Sequence, residues 1–453
     1  MIALDLPLLP LAPIAAAARL VGRPGRVLCH AAVDATGERG SVVAADPHAT
    51  LTVWPDRVEW ARGDTREVHR GDPIAAIDRF VTEHAGALDR AGPRWPAVIG
   101  YLGYDLGRAI ERLPTRPPGP PMPDAWLAAY PALAWWSAAH TAPTIVAVDA
   151  DAGARLHATL ATAPPRLGPA PALADLTADR DGAAHEAGVR AIARYLTAGD
   201  VYQVNLARRL RATIDAPGDA LAIYAALHAV APAAYGALLE AAGVTVVSGS
   251  PECFLRRAGD RLITMPIKGT RPRTGDPVDD RAAADDLRAH PKDAAEHLMI
   301  VDLERNDLGR VAVTGSVTVD ELGAVVELPA LYHKVSTVSA RLRPGTTWAA
   351  LLRATFPGGS ITGAPKLRAM QIIDELEPVA RGPYCGALGW FGTGGGLDLA
   401  IAIRIATLTA DELAVHVGGG IVADSDPAAE LAETDDKAAG WRAALARLRD
   451  DRA

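Results

Sequence analysis

Residues 386–423 read GALGWFGTGGGLDLAIAIRIATLTADELAVHVGGGIVA, and this stretch decides the fold. It reads as two long apolar strands. Directly after it, Asp426 can cap a helix whose first turn holds Pro427. Working backwards, VTVVSGSPECFLRR (244–257) and RLITMPIKG (261–269) read as a strand pair, and VYQVNLARRLRATI (201–214) alternates as a strand does. HEAGVRAIARYLTAGD (185–200) and KDAAEHLMIVDLERNDLGR (292–310) carry helical spacing. Towards the N-terminus, VVAADPHATLTVWPDRVEW (42–60) alternates like strands joined by turns, and DPIAAIDRFVTEHAGAL (72–88) reads as an amphipathic helix. Runs of strands with interspersed helices, lacking a strict βαβ beat, predict an α+β architecture.

APPRLGPAPALADL (163–176) holds four prolines and no apolar periodicity, which predicts a linker or long surface loop over 163–180. It separates an N-terminal region, 1–162, from a C-terminal region, 181–453, that carries most of the chemistry-bearing residues. The chain has 453 residues, 49% hydrophobic and 22% charged, which suits a globular protein with a sizeable core. A net charge of −8 argues against nucleic acid or anionic lipid as a generic partner. Three cysteines without CxxC spacing exclude a disulfide framework or thiolate metal cage and predict a reducing, cytoplasmic setting. No segment reaches the roughly 18 to 20 apolar residues of a membrane helix. The apolar N-terminus is interrupted by Asp5, Pro7, Pro10 and Pro13, unlike a signal peptide, and reads as an ordered first element.

Familiar catalytic templates fail. GGSITGAPK lacks P-loop spacing, Thr362 replaces the second glycine of a nucleophile elbow around Ser360, and no H-E-x-x-H occurs. What remains is a set of charges. Glu430, Glu433 and Lys437 share one helix face, either as a solvated face or as carboxylates for a hard cation with a lysine facing an anion. Asp293 and Glu296 repeat the carboxylate spacing on another helix, where acids at a helix start are also ordinary. Lys268, at a strand end, either snorkels to solvent or is a desolvated amine with a pKa lowered from about 10.4, able to act as a nucleophile. Gly418–Gly420 make a tight turn or let backbone N–H groups approach a carboxylate. Arg404, midway along the apolar run LAIAIRIA, needs an anionic partner, and a bidentate carboxylate is the natural one. These residues point to an Mg²⁺-assisted site for a small carboxylated substrate with a candidate amine nucleophile.

At these residues the sequence resembles the chorismate-utilising enzymes, which include anthranilate, aminodeoxychorismate, isochorismate and salicylate synthases. The likeness runs from about His185 to Trp441 through GDVYQVNLARR, SGSPECFL, PIKGTRPR, HPKDAAEHLMIVDLERNDLGRV, FPGGSITGAPKLRAMQIIDELEP, RGPYCGALGW and GGGIVADSDPAAELAETDDKA. The N-terminal third matches mainly at GYLGYDLGR (100–108). The resemblance implies two large, mainly antiparallel sheets packed as a sandwich with helices outside. It implies that Glu296 and Glu433 hold Mg²⁺ against the ring carboxylate of chorismate, with Asp293 and Glu430 acting through water. Arg404, Tyr384, Lys437 and the Gly418, Gly419 and Gly420 backbone would grip the carboxylates. Glu252 would be the acid that protonates the departing C4 hydroxyl, and His333 and Ser360 would orient the ring carboxylate and that hydroxyl.

Two positions sort the branches that the resemblance offers. Isochorismate and salicylate synthases have a lysine base where this chain has Gln203, and glutamine takes no proton at neutral pH. Anthranilate synthases typically read PIAGT where aminodeoxychorismate synthases and this chain read PIKGT, so Lys268 is the expected covalent partner in amination at C4. Ammonia would come from a glutamine amidotransferase on a separate chain, since Cys29, Cys253 and Cys385 lack a nucleophile's setting. Ala31 stands where many relatives carry a serine that helps bind tryptophan, so feedback inhibition is not expected. The rival readings are an anthranilate synthase, in which Lys268 is incidental, and a non-catalytic chorismate-binding scaffold.

Overall fold

The computed structural model describes residues 1–4, 10–31, 40–88, 95–113, 116–137, 141–162, 167–258, 260–329 and 331–450. Its strands form two sheets, of 13 and 12 strands among these residues. The centre of the first sheet runs Val27–His30, Tyr235–Ala241, Val244–Ser250, Ile405–Leu408, Glu412–Ile421, Gln203–Ala216. That of the second runs Leu331–Arg341, Arg261–Met265, Cys253–Ala258, Gly396–Ile401, Ala387–Gly392, Pro96–Leu102. The pairings that build both centres are antiparallel, which accords with the expected α+β class.

One core joins the facing sheets: Val204, Leu206, Val246 and Ile421 of the first meet Leu255, Leu388, Leu399 and Ile401 of the second. On the other face of the first sheet, Leu238, Val247, Val415 and Val417 pack with the helices Ala220–Val230 and Pro427–Asp450. The long C-terminal helix starts as its sequence predicts, with Ala429 N–H donating to Asp426 Oδ1 at 2.9 Å. Helix Pro73–Ala85 likewise has Asp72 as its cap and buries Ile74, Ile77, Phe80 and Val81 on one stripe. Among the described residues no helix is long and apolar enough to cross a membrane.

Residues 386–423 form four strands rather than two. Ala387–Gly392 and Gly396–Ile401 are a hairpin in the second sheet, and Ile405–Leu408 and Glu412–Ile421 are a hairpin in the first. The chain changes sheets at 402–404, so Arg404 sits on the crossing and not midway along a strand. Its φ of 53° is the cause, because a left-handed residue ends the pleat. The expected single strand at 244–257 divides in the same way: Val244–Ser250 belongs to the first sheet, and beyond Pro251 and Glu252 the strand Cys253–Ala258 belongs to the second. Cys253–Ala258 and Arg261–Met265 do pair as predicted.

Each sheet contains strands from before and after 163–180, in two blocks that meet where Val27–His30 pairs with Tyr235–Ala241 and where Pro96–Leu102 pairs with Ala387–Gly392. Within that stretch residues 163–166 lie outside the described residues, while Ala172–Leu173 and Thr177–Ala178 run along Gln203–Ala216.

A buried ion pair fixes the segment after helix Lys366–Leu376. Arg381, 2% exposed, donates from Nε to Glu377 Oε2 at 2.8 Å and from Nη2 to Glu377 Oε1 at 2.6 Å. It also donates to the carbonyls of Ile361 at 3.1 Å and Asn205 at 2.7 Å, and lies over the Tyr104 ring. Removing one member of such a pair strands the other charge, so Arg381→Ala is expected to destabilise the fold by about 3–5 kcal/mol in urea unfolding. A loss below about 1 kcal/mol would show that Glu377 finds other partners.

Candidate active site

The two crossings lie side by side and bond to each other. Gly249 N–H donates to the Arg404 carbonyl at 3.0 Å, and Ile401 N–H to the Glu252 carbonyl at 3.1 Å. The serines of SGSPE complete the stitching: Ser250 Oγ donates to the Ile401 carbonyl at 2.6 Å and accepts from Glu252 N–H at 3.3 Å. Glu252 and Arg404 therefore enter the site from adjacent turns.

Glu252 is buried, and Ser360 Oγ donates to its Oε1 at 2.6 Å. Burial pushes the Glu252 carboxyl up to about 7, against the opposing pull of Ser360, the Lys268 ammonium, the Ile267 N–H and the Lys437 ammonium. At neutral pH it can still hold a proton, as a general acid must.

Lys268 lies half-buried on strand Ile267–Pro272. The strand's register against Leu331–Arg341 slips between Ile267 and Thr270, and Gly269 has φ 86°. The glycine thus makes a bulge beside the lysine, the kind of irregularity that re-aims a side chain next to a site. A Cβ on Gly269 would also come within 2.8 Å of Leu287 Cδ1 and 3.3 Å of the Asp293 carboxylate. Thr270 Oγ1 lies 2.9 Å from His333 Nδ1. Burial, with the Arg404 charge nearby, pulls His333 down to about 4, so its imidazole is neutral.

Arg404 has no side-chain hydrogen bond or ion pair among the described residues. Burial holds its guanidinium below the ordinary value, opposed by Tyr384 and Glu433. Its left-handed backbone adds a cost of about 1–3 kcal/mol. An unpaired, part-buried cation on a strained turn is a receptor for an anion. Tyr384 is buried beside it, and its ring stacks on His416 with centroids 5.2 Å apart.

On the C-terminal helix, Lys437 Nζ donates to Glu433 Oε1 and to the Gly418 carbonyl, each at 2.6 Å. Ser425 Oγ donates to Glu430 Oε1 at 2.6 Å. The three glycines are needed for space. A Cβ on Gly418 would lie 2.5 Å from the Leu206 carbonyl oxygen, and one on Gly420 2.9 Å from Gln203 Nε2. One on Gly419 would lie 3.1 Å from Glu430 Oε2 and 3.4 Å from Glu433 Oε1. Gln203 is fully buried, and neither end of its amide has a hydrogen bond among the described residues.

Asp293 and Glu296 lie on helix Pro291–Gly309. Asp293 is tied to Arg271 Nη2 at 3.0 Å, while Glu296 is half-buried. Among the described residues no three His, Cys, Asp or Glu side chains are grouped to hold a metal ion. Magnesium needs no such group, because it takes one or two carboxylates and fills its remaining positions with waters and substrate oxygens. The space at Gly419, faced by Glu430 and the half-exposed Glu433, fits that donor set.

Two residues escaped the sequence reading: Arg381, which anchors the segment before Tyr384, and Glu304, a buried acid on helix Pro291–Gly309 that accepts from Thr264 Oγ1 at 3.3 Å. The signal for Arg381 was the single charge that opens RGPYCGALGW, a stretch otherwise without charge.

Residues 29–442 match the family described as chorismate binding enzyme. "Aminodeoxychorismate synthase component 1" of Klebsiella aerogenes is 39% identical over 424 residues, 92% of this chain and 93% of that protein. "Anthranilate synthase component 1 1" of Haloarcula marismortui is 38% identical over 404 residues, 83% of this chain and 82% of that protein. The crystal structure of anthranilate synthase component I from Streptococcus pneumoniae superimposes with a TM-score of 0.77 at 28% identity, covering 90% of this chain and 93% of that one. The chain belongs to the family of chorismate-binding enzymes.

The Ser360 hydroxyl favours the charged form of Glu252, so its removal should raise that carboxyl further. Ser360→Ala is therefore expected to move the alkaline limb of kcat/KM, where a required acid is lost, to higher pH. A pH–rate profile checks this, and an unmoved limb would separate Ser360 from the Glu252 proton.

Proposed function

We propose that this enzyme aminates chorismate at C4 to give 4-amino-4-deoxychorismate, the precursor of p-aminobenzoate and folate. The observation that carries this reading is Lys268 in PIKGT, set on the Gly269 bulge within electrostatic reach of the buried acid Glu252. The Lys268 amine adds at C2 as the ring double bond shifts and the C4–O bond breaks. Glu252 delivers its proton to the departing hydroxyl, which leaves as water. Ammonia then forms the C4–N bond, the double bond shifts back, the C2–N bond breaks to return the lysine amine, and the C4 ammonium gives up the proton that reloads Glu252. The sum is replacement of hydroxyl by amine, with no change in oxidation state.

Arg404, Tyr384, Lys437 and the Gly418–Gly420 backbone grip the substrate carboxylates, and neutral His333 orients the ring carboxylate without adding charge. Glu296 and Glu433 would hold Mg²⁺, with Asp293 and Glu430 in support through water; the ion supplies charge neutralisation and orientation of the ring. Gln203 faces the site without being able to act as a base, which disfavours attack by water.

Ammonia comes from a glutamine amidotransferase partner, in keeping with the "component 1" in the relatives' names. All three cysteines of this chain are buried, and burial pushes the Cys385 thiol up to about 12. Such thiols are poor nucleophiles for releasing ammonia from glutamine. We place the enzyme in the cytoplasm.

The similar identity to an anthranilate synthase keeps a second reading in view, in which ammonia attacks C2 and pyruvate is lost. Mass spectrometry of products from chorismate, Mg²⁺ and an ammonium salt separates the two. Chorismate with amine for hydroxyl and the enolpyruvyl group retained is expected; anthranilate and pyruvate would establish the rival. Lys268→Ala should lower amination at least about 100-fold, and normal amination by that variant would remove its covalent role. Glu433→Gln should abolish turnover, whereas wild-type activity and Mg²⁺ dependence in that variant would exclude it as a ligand.

A further inference from the structure

Strand Glu412–Ile421 reads ELAVHVGGGI, and its alternate residues divide between two faces. Leu413, Val415 and Val417 pack with the helices outside the first sheet. The opposite face carries His416 and then Gly418 and Gly420, so His416 is the last side chain on that face before the glycines. As a filler it is a costly choice. His416 is 6% exposed, and its Nε2 has no hydrogen-bond partner among the described residues.

Two neighbours account for the ring. It lies nearly parallel to Tyr384, at an interplanar angle of 16° with centroids 5.2 Å apart, an offset stack. It also borders a cavity of about 40 Å³ at the sheet edge, together with Ala207, Glu377 and His185. The exposed Arg180 and Asp181 border that cavity too. Such a volume has room for about three waters, each needing about 10–15 Å³, and a water there can meet the imidazole edge. The imidazole thus offers a flat face to the tyrosine and a polar edge to the cavity.

Arg381 also reaches the Tyr384 ring, with Cζ 5.8 Å from its centroid, and is itself fixed by Glu377. A ring touched at one place can still tilt about it, and the parallel imidazole removes that freedom. Burial, with the Arg209 and Arg381 charges, pulls His416 down to about 3, while burial pushes the Tyr384 phenol well above its ordinary value. Both rings are neutral at neutral pH, and the phenol keeps the proton it would donate.

We propose that His416 is a positioning residue for substrate binding: stacked on Tyr384, it holds the phenol at the angle from which its hydroxyl reaches a chorismate carboxylate beside Arg404. The inference rests on the reading of Tyr384 as a carboxylate-binding group. A donor that drifts by an ångström loses most of its hydrogen bond, so loss of the stack is felt as weaker binding.

The test is the Kd of chorismate from calorimetric titration with Mg²⁺ and without ammonia, so that no amination occurs. His416→Phe keeps a flat ring on Tyr384, the cavity giving room for its greater size, and should bind within about twofold of the wild type. His416→Leu fills similar space without a flat ring and should bind about fivefold more weakly. Tyr384→Phe keeps the stack but lacks the hydroxyl, and should bind about tenfold more weakly. In that background His416→Leu should cost nothing further, because no hydroxyl is left to aim. A general loss of packing would instead weaken binding in both backgrounds, and that result overturns the proposal. Equal binding by His416→Phe and His416→Leu overturns it as well. If Tyr384→Phe binds as the wild type does, the grip assigned to Tyr384 is wrong and the proposal falls with it. If Tyr384→Phe weakens binding and His416→Leu does not, the proposal alone falls.

Discussion

The hydrogen bonds from Gly249 to Arg404 and from Ile401 to Glu252 hold together the two places where the chain leaves one sheet for the other. A strand that changes sheets gives up its ladder for several residues, and its buried amides and carbonyls must find other partners. Here the two crossings satisfy each other, and the Ser250 hydroxyl takes up a remaining carbonyl. The buried acid and the unpaired arginine both stand on these crossings, so one backbone arrangement sets the distance between proton donor and anion receptor.

Desolvation acts on these groups in opposite senses and makes them useful together. It favours the neutral form of Glu252 and of His333, so an acid keeps its proton and an imidazole carries no charge at neutral pH. An arginine remains charged even when burial lowers its pKa, because its ordinary value lies so high. Lys437 is paired with Glu433, while Arg404 has no side-chain hydrogen bond among the described residues, so a buried cation stands near a loaded acid. In the reaction proposed above, a substrate carboxylate would pair with that cation while the acid keeps its proton for the leaving hydroxyl.

Much of this was legible in the sequence, and what was not has definite causes. Alternation and capping marked most strands and helices, because burial of one face imposes a period that composition records. The crossing at 402–404 left no such mark. LDLAIAIRIATL alternates no differently on either side of it, and a left-handed arginine has no signature until the tertiary bonds that enforce it exist. At Pro251 the break had a hint, since proline cannot donate to a ladder. The lysine of PIKGT could be singled out by its apolar setting, but its direction depends on the bulge at Gly269, a property of pairing between distant strands. Glu304 sits in VDLERNDLGR among four other charged residues, and only the tertiary packing decides which of them are buried.

The GYLGYDLGR segment, the part of the N-terminal third that most resembles the family, contributes none of the proposed catalytic or binding groups, yet it fixes where one of them stands. Asp105 accepts from Gly382 N–H at 3.0 Å, and Gly382 returns its carbonyl to Tyr104 N–H at 2.7 Å. Arg108 bridges Asp105 to Asp374 on helix Lys366–Leu376, and the Tyr104 ring lies under Arg381. The segment Arg381–Tyr384 is thereby held from both sides, by Glu377 behind it and by this clamp in front. A binding group gains little from the right chemistry if its backbone can drift by an ångström. The likeness in this segment is thus accounted for by support, with the N-terminal third determining how rigidly Tyr384 faces the space beside Arg404.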